Sequence, residues 1–208
     1  MDRIRFQYSW VNDTKQRCIF GSMPSIAQVL NIVVMARQKT ARIEPASLAR
    51  SALPGRVVDY VVTLKPDAAI DQAWHRLRPL PGVSVKSWNY TTRARRNPIA
   101  IHVETKGPMK SWTDGKPQIA TWTDAWLTRL TRIRPAEPWP AIPLLIAQGH
   151  DWHLLIVSKK DQKMTIWEEI AIGSTRSCFD AMKVVAVLHW LIDWAETVWR
   201  PWFLSLVG

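Results

Sequence analysis

Cysteine is scarce in this chain. Cys18 and Cys178 are its only two in 208 residues, too few for a disulfide framework or a cysteine-rich zinc site. A reducing compartment, cytoplasm or nucleus, is the expected setting. Apolar runs of membrane length are also missing. The most hydrophobic stretch, Ala181 to Gly208, is broken by Lys183, Asp193, Glu196 and Arg200, which a bilayer core tolerates poorly. It reads as a buried helix, and no membrane partner is expected. The apolar patch from Ile26 to Met35 begins too far into the chain and lacks the layout of an export signal. No internal repeat, low-complexity tract, Walker loop or dinucleotide fingerprint is present. No serine occupies a nucleophile-elbow setting and the histidines have no evident partner, so Ser/His/Asp hydrolysis finds no support.

Negative charge is in deficit too. Asp and Glu number 17 against 28 Lys and Arg, a formal charge of +11. Such an excess attracts polyanions through phosphate neutralisation and counterion release, which makes nucleic acid the expected partner. Surface cations that merely keep a protein soluble give the same count. The chain contains 13 tryptophans. Their faces can stack on bases, but most should be core, because burying so large a ring is strongly favourable. With 47% hydrophobic residues, one sizeable core and one domain are expected.

Residues 1–40 show no clean periodicity. Ser25 to Ala36 fits a short helix capped by Ser25, with Ile26, Val29, Leu30, Val33 and Val34 on one face. Beyond the breaker Leu53-Pro54-Gly55, the β-branched run from Arg56 to Leu64 reads as a buried strand. A brief helical turn from Asp71 to Leu77 and a loop at Pro79-Leu80-Pro81-Gly82 follow. An arginine-bearing connector, Ser87 to Asn97, then leads to a second strand, Ile99 to Lys106, closed by Gly107-Pro108. Gly115 to Leu130 reads as a helix with Pro117 in its first turn. Ala141 to Gln148, Trp152 to Ser158 and Met164 to Glu168 are further strand candidates, the last two forming a hairpin. Ser174 or Thr175 caps a final helix that Pro201 ends near Trp199.

Strand side chains alternate faces, so Glu104 and Lys106 project together with His102. By the same parity Asp59 lies with Val57 and Val61. An acid inside such an apolar run is costly to desolvate unless a cation or charged partner compensates. The blander reading makes Asp59 a solvent-facing residue of an edge strand and Glu104/Lys106 a same-face ion pair. His150 and His153 fall at a loop-to-strand junction where they need not converge, so a structural turn is expected there and not a metal site. Gly173-Ser174-Thr175-Arg176 opens a helix, which suits capping and could also receive a phosphate.

Asp59, then Glu104-x-Lys106 on the next strand, then a helix that begins with Gln118, resembles the PD-(D/E)xK nuclease superfamily. Five blocks in order are similar to the nuclease-like domain of that superfamily found in filamentous fungi: Val57-Val58-Asp59-Tyr60, Asn89-Tyr90-Thr91, Pro98 to Lys106, Gln148-Gly149-His150-Asp151-Trp152 and Gly173 to Ser177. The resemblance covers roughly Ile43 to Phe203. The resemblance implies an α/β fold, an α+β-type mixed sheet flanked by helices around a restriction-endonuclease-like core, assigned to residues 41–208. It implies Mg²⁺ or Mn²⁺ held by Asp59 and Glu104, with Lys106 beside the attacking water and Gln118 positioning that water or the lysine. The metal would polarise the scissile phosphate of DNA or RNA and help generate hydroxide. Arg93, Arg95 and Arg96, just before the Glu104 strand, and Arg176 are the candidate backbone-binding cations. A catalytically inactive domain that binds nucleic acid or protein is the alternative. The chain departs from the pattern twice. Val58 stands where the name has proline, and residues 1–40 do not match the acidic first helix of relatives, for which only Glu44 or Asp13 could loosely substitute.

Overall fold

The computed structural model describes residues 33–37, 42–48, 59–79, 85–91, 94–110, 115–135, 138–160, 163–167 and 170–208, with 33–37 described as backbone only. These residues form a seven-stranded mixed sheet. In chain order the strands are β1 (Val33–Arg37), β2 (Tyr60–Leu64), β3 (Ile99–Lys106), β4 (Ile142–Gln148), β5 (Asp151–Lys160), β6 (Lys163–Ile166) and β7 (Ile170–Ser174). The helices are α1 (Ala68–Arg76), α2 (Lys116–Ile133), α3 (Cys178–Trp194) and α4 (Arg200–Val207). The α/β architecture implied by the resemblance is the one observed.

The sheet runs β1-β2-β3-β4-β5-β6, with β7 also pairing β5. Among the described strands only the β3–β4 pair is parallel, with Glu104 beside Ile146, and α2 bridges the two strands, as a parallel connection requires a crossover. Both neighbours and both faces of β3 are covered, so it is buried from Ile99 through Glu104. Its near-continuous apolar run reflects that two-sided burial. Between β4 and β5 the chain turns through Gly149, whose φ of 57° is a left-handed conformation that glycine adopts without a Cβ penalty. The Gly149 amide donates to the Lys106 carbonyl at 2.8 Å, so this turn holds the end of the strand that carries Lys106.

Three elements depart from the sequence expectation. Val33–Arg37, the end of the expected Ser25–Ala36 helix, is a strand paired antiparallel with β2, while residues before 33 lie outside the described set. Sheet pairing here overrides a local helical spacing, which its β-branched Val33 and Val34 favour. Ile170–Ser174 is a strand on β5, so α3 starts later than expected, capped by Ser177, whose hydroxyl accepts from the Asp180 amide at 3.1 Å. Pro201 does not end the last helix. A π-helical turn at Ala195–Trp199 leads without a break into α4, with Pro201 in the first turn of α4.

The core is built on aromatic rings. Trp88, Trp122, Trp126, Trp199 and Phe203 are buried, whereas Trp167 and Trp190 are exposed. Ring contacts run from Tyr90 to Trp122 (4.9 Å between centroids), from His102 to Trp126 (4.8 Å) and from Trp126 to Trp199 (4.9 Å). This stack ties α2 and the π turn to β3. Among the described residues no helix is long and apolar enough to cross a membrane.

Candidate active site

Asp59 is the last residue before β2. The β2–β3 register pairs Tyr60 with Val103, so Asp59, the preceding residue, lies across from the Glu104–Thr105 end of β3. Its Oδ2 accepts from the Thr105 amide at 3.0 Å and from the Thr105 hydroxyl. The acid is thereby fixed across the strand pair. Glu104 is 1% exposed. Its Oε1 accepts from Lys106 Nζ at 2.6 Å, while Oε2 is buried and has no hydrogen-bond partner among the described residues.

Lys106 Nζ also donates to Gln118 Oε1. Gln118 lies in the first turn of α2, so the helix start and the strand end meet at the ammonium. Gly115, just before that helix, permits the approach: a Cβ there would lie 3.4 Å from Glu104 Cγ and 3.4 Å from Lys106 Cε.

Burial pushes the Glu104 carboxyl above its ordinary value, against the hydrogen bond and charge of Lys106; the nearby Asp59 charge pushes it further up while the Asp59 backbone amide opposes the rise. Beneath it, the Tyr90 hydroxyl and His102 Nε2 hydrogen-bond at 2.9 Å. Burial, then the Glu104 charge, raises the Tyr90 hydroxyl well above the ordinary tyrosine value. His102 is fully buried and held by desolvation at about 3, so it is a neutral core imidazole. It shares the strand face of Glu104 and Lys106 but packs on Tyr90 and Trp126.

The donor set suits a hard cation. The Asp59 carboxylate is near enough for its charge to act on Glu104, Glu104 keeps one buried oxygen without a side-chain partner among the described residues, and Mg²⁺ is bound through one or two carboxylates with water and phosphate completing the shell. Among the described residues no group of three or more His, Cys, Asp and Glu side chains is placed to hold a metal. A cation here would therefore take its remaining ligands from solvent and substrate.

The other expected residues are dispersed. Arg95 is exposed, with its carbonyl accepting from the Trp88 amide at 2.9 Å. Arg96 is exposed and paired with Asp71 at 3.0 Å. Arg176 is exposed at the turn before α3, and Arg93 lies outside the described residues. His150 Nδ1 contacts the Thr175 hydroxyl at 2.9 Å and its carbonyl accepts from the Thr175 amide at 2.9 Å, a tie between two turns. Asn89 bonds the carbonyls of Ala94 and Asn97 and the amide of Ile99, so that block folds the connector. Thr105, Gly115 and Tyr90 shape the site, and nothing in the pattern marked their roles. The faint signals were a hydroxyl between Glu104 and Lys106 and a glycine two residues before Pro117.

The model of the PD-(D/E)XK nuclease superfamily matches residues 3–200, and the chain belongs to that superfamily. Asp59, Glu104, Lys106 and Gln118 all fall within the match, as does most of the N-terminal segment whose pattern alone shows no resemblance. No curated protein and no solved structure matches the chain.

Proposed function

We propose that this superfamily member is a Mg²⁺- or Mn²⁺-dependent phosphodiesterase acting on DNA or RNA. The observation that carries the reading is the meeting of Glu104, Lys106 and Gln118 around one ammonium, beside a buried carboxylate oxygen without a partner. Asp59 and Glu104 are the proposed ligands. A bound divalent cation supplies Lewis-acid polarisation of the phosphate and a lowered pKa for coordinated water.

The chain's own contributions follow from its geometry. Thr105 holds Asp59 in place, so the carboxylate needs little reordering to receive a cation. Lys106 presents a positive charge where negative charge develops on the phosphate oxygens in the transition state. Gln118 fixes the direction of that ammonium by accepting from it. Arg93, Arg95, Arg96 and Arg176 are the proposed contacts to the nucleic-acid backbone, which position a strand without reading its sequence. The domain is proposed to comprise residues 41–208 together with β1, which pairs with β2 in the same sheet, and the two-cysteine composition suits a reducing compartment such as cytoplasm or nucleus.

One observation favours a second reading. The 2.6 Å pair between Lys106 and Glu104 neutralises the carboxylate internally, which suits an inactive domain that binds nucleic acid or protein. Incubation of the protein with single- and double-stranded DNA and RNA in Mg²⁺, Mn²⁺ or EDTA separates the two. Cleavage is expected with metal, abolished by EDTA and reduced at least 100-fold in Lys106→Ala and Asp59→Ala (~10²–10³ for loss of one electrostatic group). Cleavage in EDTA, or cleavage untouched by both substitutions, would rule out the reading. Binding without cleavage would establish the module.

A further inference from the structure

At the other end of α2 the structure holds a cavity of about 440 Å³, within the range of small-ligand sites. Arg129 and Arg132 line it from α2 and Arg134 from just past its end, Arg76 and Arg78 from α1 and the residues after it, and Trp88 from the connector. The hydrogen-bonding side chains in that lining are all donors, and the backbone of Leu206, Val207 and Gly208 borders them.

Two of the five guanidinium groups are held by neutral acceptors. Arg129 is 2% exposed and its Nε donates to the Ser87 carbonyl at 2.9 Å. Arg132 donates to the Ser47 carbonyl at 2.9 Å. Both partners are neutral carbonyls, and among the described residues no carboxylate pairs with any of the five guanidinium groups. Burial, and then the Arg132 charge, lowers Arg129 to about 10, so it stays cationic beside like charges. The Trp88 indole N–H is buried and has no acceptor among the described residues. Arg129 and the Trp88 donor are buried while the other four guanidinium groups are exposed around the same cavity, and planar guanidinium forks match phosphate oxygens.

We propose that this cavity is a phosphate-binding site, separate from the Asp59/Glu104/Lys106 cluster. The phosphate is carried by a free nucleotide or by a polynucleotide. Gln118 and Arg132 lie about 20 Å apart along α2 at roughly 1.5 Å per residue, so a strand seated at one site can reach the other over about six nucleotides at the ~3.4 Å spacing of one strand. The inference does not rest on cleavage, because phosphate capture here requires no catalysis.

The test is titration calorimetry on the full chain and on Lys106→Ala, with sodium phosphate, adenosine monophosphate and a short single-stranded oligonucleotide, each matched to sodium chloride of equal ionic strength. The comparison variant is Arg76→Gln/Arg78→Gln/Arg134→Gln. All three positions are exposed and none makes a side-chain bond among the described residues, so its fold, checked by circular dichroism, is expected to persist. Saturable phosphate binding is expected in both the full chain and Lys106→Ala, weakened tenfold or more in the triple variant. A gain for the oligonucleotide over the mononucleotide that the triple variant loses assigns the phosphate to a polynucleotide. Equal affinities for the two assign it to a free nucleotide. Absence of saturable phosphate binding, or an affinity unchanged in the triple variant, overturns the proposal. An inactive enzyme that still binds phosphate would refute cleavage and leave this site standing.

Discussion

His102 shows how one residue can look functional in a sequence and act structurally. It shares a strand face with Glu104 and Lys106, yet it is fully buried, stacked on Tyr90 and hydrogen-bonded to that hydroxyl. Its imidazole is lowered from 6.5 to about 3 by desolvation, so at neutral pH it is uncharged in both folded and unfolded chains. As pH falls below 6.5 the unfolded chain binds a proton at this residue and the native chain does not. Stability is then lost on acidification, by about 1.4 kcal/mol per pH unit from a single site. The loss runs from 6.5 down to about 3, where the native imidazole also titrates. Urea denaturation between pH 7 and pH 4 should show this slope in the wild type and a flatter one in His102→Gln. An equal slope in both would assign the acid sensitivity elsewhere. Glu104 behaves oppositely. Its raised carboxyl means that the native state takes up a proton before the unfolded chain does, so it costs stability at neutral pH unless Lys106 or a cation compensates.

At the scale of elements, the site depends on how closely α2 enters against β3. Gly115 is buried, and a methyl there would meet Glu104 and Lys106 at ordinary contact distance, whereas a longer side chain would enter the space those groups fill. Gly115→Ala should therefore keep near-normal metal-dependent cleavage. Gly115→Leu should lose on the order of 100-fold, the scale expected when reacting groups shift by about 1 Å, while circular dichroism stays native. Equal activity of the two variants would show that the helix entry is not tightly coupled to the site. The groups most legible in the sequence are those governed by short-range periodicity. Glu104 and Lys106 fall two apart on a strand and must share a face, and Pro117 marks the helix start that presents Gln118. What escaped the pattern is set by partners far along the chain: Thr105 clamping Asp59 across two strands, Ile170–Ser174 pairing with β5 and moving the α3 cap to Ser177, and arginines from α1 and α2 sharing one cavity. None of these contacts leaves a repeat spacing to detect.

Across the whole molecule the charge of +11 says how strongly a polyanion is drawn in, but the structure divides the cations into committed and uncommitted ones. Arg96 already spends its charge on Asp71, and Arg200 on Glu196 and Asp67. Arg95 and Arg176 are exposed and have no acidic partner among the described residues. Each phosphate neutralised on binding contributes about −0.7 (single strand) to −0.9 (duplex) to the slope of log affinity against log salt. An arginine that must first leave a carboxylate gives back part of that gain. With cleavage-deficient Lys106→Ala as background, fluorescence anisotropy on labelled DNA from about 50 to 200 mM salt should show the slope falling by nearly one phosphate equivalent in Arg95→Gln and in Arg176→Gln. Arg96→Gln should change it by clearly less. Equal changes at all three positions would show that the Arg96–Asp71 pair opens freely on binding, and no change at any would move the nucleic-acid path to another face of the protein.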